Sequence, residues 1–147
     1  MKRLLLAVPV LLVLSACGGG DDPKAAFVAK AEAICATAKK AVDETPQPTS
    51  VASLEVYVDT LVDVAETAQR DLLALDLPED DAADLRAKLL DPLAADVEAG
   101  KAFQAKVQAA GGDGSKLLGL LSSRPKPTVD AAYAKDYGLT TCAEAIA

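Results

Sequence analysis

The sequence predicts an all-α fold, an antiparallel helical bundle of three long helices with a shorter C-terminal helix. Three observations carry this reading. Apolar residues recur at steps of three and four over long stretches, no run alternates with a period of two, and prolines and glycines gather at a few places suited to turns.

The first helix is expected to open at Asp22-Pro23, an N-cap followed by a proline in the favoured first position. Phe27, Ala31, Ile34, Ala38 and Ala41 then form one stripe, with Val28, Cys35 and Val42 on the adjoining line. Thr45-Pro46-Gln47-Pro48 must end it, because two prolines remove donors and force extended backbone. Thr49 or Ser50 caps the second helix, whose stripe runs Leu54, Tyr57, Leu61, Ala65, Ala68, Leu72 and Leu75.

After the turn at Leu77-Pro78, the acids Glu79, Asp80 and Asp81 sit where a third helix would start, which its dipole favours. That helix reads through Leu85, Leu89, Leu93, Val97, Phe103 and Val107. Pro92 lies inside it and is expected to kink one long helix, the alternative being a fresh start capped by Asp91. Gly111-Gly112-Asp113-Gly114 ends the segment, and Lys116 to Leu121 is expected as a short apolar turn before the Arg124-Pro125-Lys126-Pro127 loop. The last helix is expected from near Thr128 to Tyr137, with Gly138 as terminator, and Thr141-Cys142-Ala143-Glu144 has capping-box spacing for a final turn.

Ahead of this domain stand two positive charges, Lys2 and Arg3, an apolar run from Leu4 to Leu14, and small Ser15 and Ala16 before Cys17. That is the order of an export leader. The run is interrupted by Pro9 and falls well short of the roughly 20 residues needed to span a bilayer. Leu14-Ser15-Ala16-Cys17 resembles the lipobox of bacterial lipoproteins. The resemblance implies cleavage before Cys17 and acylation of that cysteine, so 1–16 is a lipoprotein signal peptide, 17–22 the lipidated cysteine with a flexible linker, and 23–147 the helical domain. Two or three acyl chains, palmitate among them, would hold the protein on the extracytoplasmic face of the cell membrane. Ordinary secretory cleavage would instead leave Cys17 free.

Three cysteines in an exported chain call for an account. With Cys17 spent on lipid, Cys35 and Cys142 remain in an oxidising compartment, either as a disulfide, the more economical reading, or as two buried thiols. The whole chain carries 15 basic and 22 acidic residues; without Lys2 and Arg3 the mature part has 13 against 22, a formal −9. Such an acidic domain repels nucleic acid and anionic head groups, so no nucleic-acid partner is expected.

The chemistry on offer is sparse. The chain has no histidine, which removes the histidine-dependent triads and dyads and the commonest zinc and haem ligands. Ser115-Lys116 are adjacent and so diverge on a helix, and the glycine-rich stretch before them lacks phosphate-loop spacing. Asp76, Glu79, Asp80, Asp81 and Asp84 are the strongest metal candidates, yet they miss the EF-hand pattern and read better as a solvated helix start. The aromatics Phe27, Tyr57, Phe103, Tyr133 and Tyr137 fall on or beside apolar stripes and read as core.

The lipobox, Phe27 seven residues before Ile34-Cys35, and the closing Tyr137-Gly138-Leu139-Thr140-Thr141-Cys142 together resemble a group of small exported lipoproteins of actinobacteria. The resemblance implies a helical domain closed by a disulfide between Cys35 and Cys142, and it supplies no catalytic residues. The function expected is a non-catalytic, monomeric binding or interaction module of the cell envelope, facing an envelope protein or the cell wall and needing no cofactor or metal. The alternative is a carrier of a small apolar ligand in the bundle core. Small inward residues such as Ala31, Ala38, Ala65 and Ala68 suit both, and close packing as the default favours the interaction module.

Overall fold

A computed structural model describes residues 22–146; the leader, Cys17 and the linker through Asp21 lie outside the described residues. The described chain is all-α. Its elements are α1 (Pro23–Glu44), α2 (Val51–Leu73), α3 (Ala82–Leu85), a π-helical turn (Arg86–Leu90), α4 (Asp91–Ala109), α5 (Gly114–Ser122), α6 (Ala131–Tyr137) and α7 (Thr140–Ile146). None of the described helices is long and apolar enough to cross a membrane.

The predicted caps form. The Asp22 carboxylate accepts from the Lys24 N–H at 3.0 Å, with Pro23 in the first turn. Ser50 and Ser53 build a reciprocal capping box at the head of α2, which satisfies two donors that the helix itself cannot. Asp113 receives the N–H groups of Ser115 and Lys116, so 114–122 is a full helix rather than the expected short turn. At the end of α6, Gly138 adopts φ 105°, a conformation open to glycine and strained for other residues. The expected final turn is a short helix of its own, α7, and α6 starts at Ala131 behind an Asp130 cap rather than near Thr128.

Pro92 does not start a new helix under an Asp91 cap. The chain stays helical from Ala82 to Ala109, and the turn preceding the proline widens to π geometry, with the Asp91 N–H reaching back five residues to the Arg86 carbonyl. The physical reason is partly local and partly tertiary. Proline has no N–H for the carbonyl four residues back, and its ring crowds that carbonyl. In this chain that group is the Lys88 carbonyl, which accepts instead from the Asp130 N–H at 3.4 Å. Leu85, Leu89 and Leu90 are all buried here.

α2 lies beside α4 with Asp59 opposite Gln104 and Gln108, and Glu66 opposite Lys101, an antiparallel register. α1 packs on α2 and on α7. Buried apolar residues form two clusters instead of one. The larger joins Phe27, Ala31 and Cys35 of α1 to Leu72, Leu85, Leu89, Leu90 and the α6–α7 corner, while the smaller holds Val58, Val107, Ala110 and Leu117. On α2 the most buried residues are Val58, Val62 and Leu72, because the helix is wedged between α1 and α4 and spreads its apolar arc over both. Of the expected stripe, Leu72 is buried, and Leu54, Tyr57, Leu61, Ala65, Ala68 and Leu75 are half-buried.

Candidate functional site

Cys35 and Cys142 are joined, with S–S 2.02 Å and Cα atoms 5.0 Å apart, and both are buried. A second pin lies one helical turn away. Glu32, which no pattern in the sequence singles out, accepts the Thr141 N–H at 2.9 and 3.0 Å and the Cys142 N–H at 3.3 Å. It therefore caps α7 from across the fold, in the place given by the sequence to a local Thr141–Glu144 box. Desolvation raises the Glu32 carboxyl, but hydrogen bonds from the Thr141 side chain and the two backbone N–H groups outweigh it and hold its pKa below the ordinary value.

Two members of the acidic cluster take structural roles, and Asp76, Glu79 and Asp80 are exposed. Asp81 accepts the Tyr137 hydroxyl at 2.7 Å and Asp84 pairs with Lys88 at 3.1 Å. Among the described residues no group of three potential ligands gathers around a metal-sized point. The aromatics of the α6 corner pack as predicted: Tyr137 meets Phe27 edge-on at 6.2 Å and stacks on Tyr133 at 5.8 Å. Lys24 and Lys88 cover the Tyr137 and Tyr133 rings at 4.1 and 4.7 Å. Burial, then the Asp81 carboxylate, raises the Tyr137 phenol far above the ordinary tyrosine value. Ser115 and Lys116 serve the α5 cap through their backbone N–H groups and bring no third group with them.

Besides a shallow groove of about 490 Å³ between α1 and α2, two apolar spaces open beside α2. An apolar cleft of about 360 Å³ is walled by Val58, Leu61, Val62 and Ala65 of α2 and by Leu93, Val97, Gly100 and Phe103 of α4, with Arg124-Pro125-Lys126-Pro127 along its edge. A deeper pocket of about 240 Å³ lies against the disulfide, between Ala38 of α1, Ala65, Ala68 and Leu72 of α2, and Leu89. The two adjoin, sharing Leu61, Ala65, Leu93, Ala145 and Ile146 as walls. Three of the four alanines singled out in the sequence, Ala38, Ala65 and Ala68, line this space, and only Ala31 is packed shut.

The two mouths differ electrically. At the deeper pocket, Lys39 is held by Asp43 at 2.6 Å, and that hydrogen bond raises its ammonium pKa, helped by the charge of Asp43 and of Glu144. At the cleft, Asp96 is already engaged: the Thr128 N–H and hydroxyl and the Val129 N–H all donate to its carboxylate, at 2.7 to 3.3 Å. These bonds fasten the 124–127 strap over α4. Arg124 and Lys126 form no ion pair with any described residue.

The chain matches no protein-family model, no curated protein and no solved structure. Its function must be argued from this geometry.

Proposed function

We propose that the protein is a non-catalytic, lipid-anchored binding module of the extracytoplasmic membrane face, of the small exported lipoprotein type, whose ligand is a small apolar molecule held between its helices. In this reading the three long helices form an antiparallel bundle, the short C-terminal helices close one end, and acyl chains on Cys17 fix the domain to the membrane. The carrying observation is the divided core. Protein interiors normally pack to crystal-like density, and an unfilled apolar space of several hundred Å³ is the size of a small-molecule site. Alanines and Gly100 stand along its walls where larger side chains would close it.

The test is binding of N-phenyl-1-naphthylamine, a neutral probe that fluoresces in apolar surroundings, to the purified protein. Saturable binding near one per chain is expected. Ala65→Phe, which puts a ring into the wall common to both spaces, should abolish it while leaving the helical circular dichroism intact; Ala145→Phe serves as a second plug. Absence of saturable binding to the unaltered protein contradicts the reading.

The original interaction-module expectation keeps one observation of its own. On α5, Leu118 is 71% exposed and Leu121 42%, a small apolar surface that suits a protein partner. Leu118→Ser would weaken such docking and leave probe binding unchanged.

A further inference from the structure

We infer that the ligand is a single-chain amphiphile with an anionic head, a long-chain carboxylate or alkyl phosphate, its tail in the cleft and its head beside Arg124 and Lys126. This rests on the proposed binding function and goes further by assigning the head group.

The mature chain is strongly acidic, so a basic site needs a reason. From Gly114 to Val129 the sequence nevertheless holds Lys116, Arg124 and Lys126 and no acid at all. Two of these three cations stand on the edge of the most apolar cleft. Asp96, the one carboxylate in the same wall, has its oxygens occupied by Thr128 and Val129 donors. That leaves a mouth of net charge +1 whose cations have donors to spare. The fork of Arg124 suits a carboxylate or phosphate, and Lys126 adds a point charge beside it.

The walls behind the mouth carry Val58, Leu61, Val62, Leu93, Val97 and Phe103, with no charged side chain besides Asp96 and the two strap cations. The adjoining pocket, behind the shared wall, reaches the disulfide and adds Val64, Leu72 and Leu89, with Lys39, Asp43 and Glu144 among its lining residues. The cleft alone, at about 360 Å³, lies at the lower end of the size range for small-molecule sites, which suits one chain. An uncharged ligand would fill the tail path and leave both cations unused.

The experiment displaces N-phenyl-1-naphthylamine from the purified full-length protein with four ligands of equal tail: dodecanoate, dodecyl phosphate, 1-dodecanol and dodecylamine. The two anions are expected to bind tightest and the amine weakest, with the gap between dodecanoate and dodecanol closing as salt is added. The double variant Arg124→Gln/Lys126→Gln should weaken dodecanoate roughly tenfold and leave dodecanol where it was. Both positions are exposed on the strap, so the fold should survive, and an unchanged thermal midpoint checks this.

Preference for dodecanoate or for dodecyl phosphate decides between the two heads, and either supports the inference. Equal affinity for dodecanol and the anions, unmoved by the double variant, overturns the head-group assignment and leaves the binding function standing. If the probe itself does not bind, both fall.

Discussion

Breaking the Cys35–Cys142 link should lower stability by an amount set by the chain it closes. The cross-link spans 107 residues, and for a loop of that size the chain-entropy relation gives about 4.8 kcal/mol at 25 °C. With an unfolding entropy near 2.1 cal/mol/K per residue over the 125 residues from Asp22 to Ile146, that corresponds to a fall of about 18 °C in Tm. The perturbation is Cys35→Ala/Cys142→Ala, since alanine avoids burying a new hydroxyl at two positions that are nearly inaccessible. Glu32 still holds the head of α7 in the variant, so the folded structure should persist and the effect should lie chiefly in the freed unfolded chain. Urea unfolding followed by circular dichroism then has a second signature, because a less constrained unfolded state exposes more surface and steepens the transition. A Tm loss under about 3 °C with an unchanged slope would refute the reasoning, leaving the bond as an ornament on a domain already held by its packing.

Glu32→Gln should cost about 0.5–1.5 kcal/mol at pH 7 in urea midpoints, because a charged cap of two N–H groups is replaced by a neutral one. The Glu32 pKa is depressed in the folded state, so its contribution is full above the ordinary carboxylate range and disappears as pH falls through the lower folded value. The difference between the two proteins should narrow in acid; a gap that widens there contradicts the assignment. Tyr137→Phe should lose about 1–2 kcal/mol with the bond to Asp81. In the unaltered protein the raised phenol makes this contribution complete below pH ~10 and lost as pH rises beyond it, and one tyrosine resistant to alkali in absorbance titration is the check. Gly138→Ala forces a side chain onto φ 105° with its Cβ 3.6 Å from a Val28 methyl, a tolerable contact, so the backbone dominates and about 1–2 kcal/mol should be lost. A loss below ~0.3 kcal/mol would mean that the turn relaxes.

The helical class, the caps at Asp22 and Ser50, the Gly138 stop and the pairing of Cys35 with Cys142 were all legible in the sequence, because each depends on neighbours in the chain or on residue type. The π turn before Pro92 was not. A proline interrupting a helical stripe signals a disturbance, but its form depends on Asp130 arriving from 42 residues away to take the Lys88 carbonyl. Glu32, Asp59 and Asp96 were unreadable for the same reason, their donors lying 32 or more residues distant. The apolar space was half legible. Ala38, Ala65 and Ala68 announced small side chains on inward faces, yet whether helices close over alanines or stand apart depends on bulk elsewhere. Here Leu61, Leu93 and Ile146 prop the walls, and none of those three was marked as different from ordinary core.

The most direct test of the central claim is native against denaturing mass spectrometry of the protein extracted with detergent from the cells that make it. The account predicts covalent mass on the chain beginning at Cys17 in both spectra, and a further few hundred daltons present only in the native one, lost when Ala65→Phe fills the wall. A native mass equal to the denatured mass would contradict it.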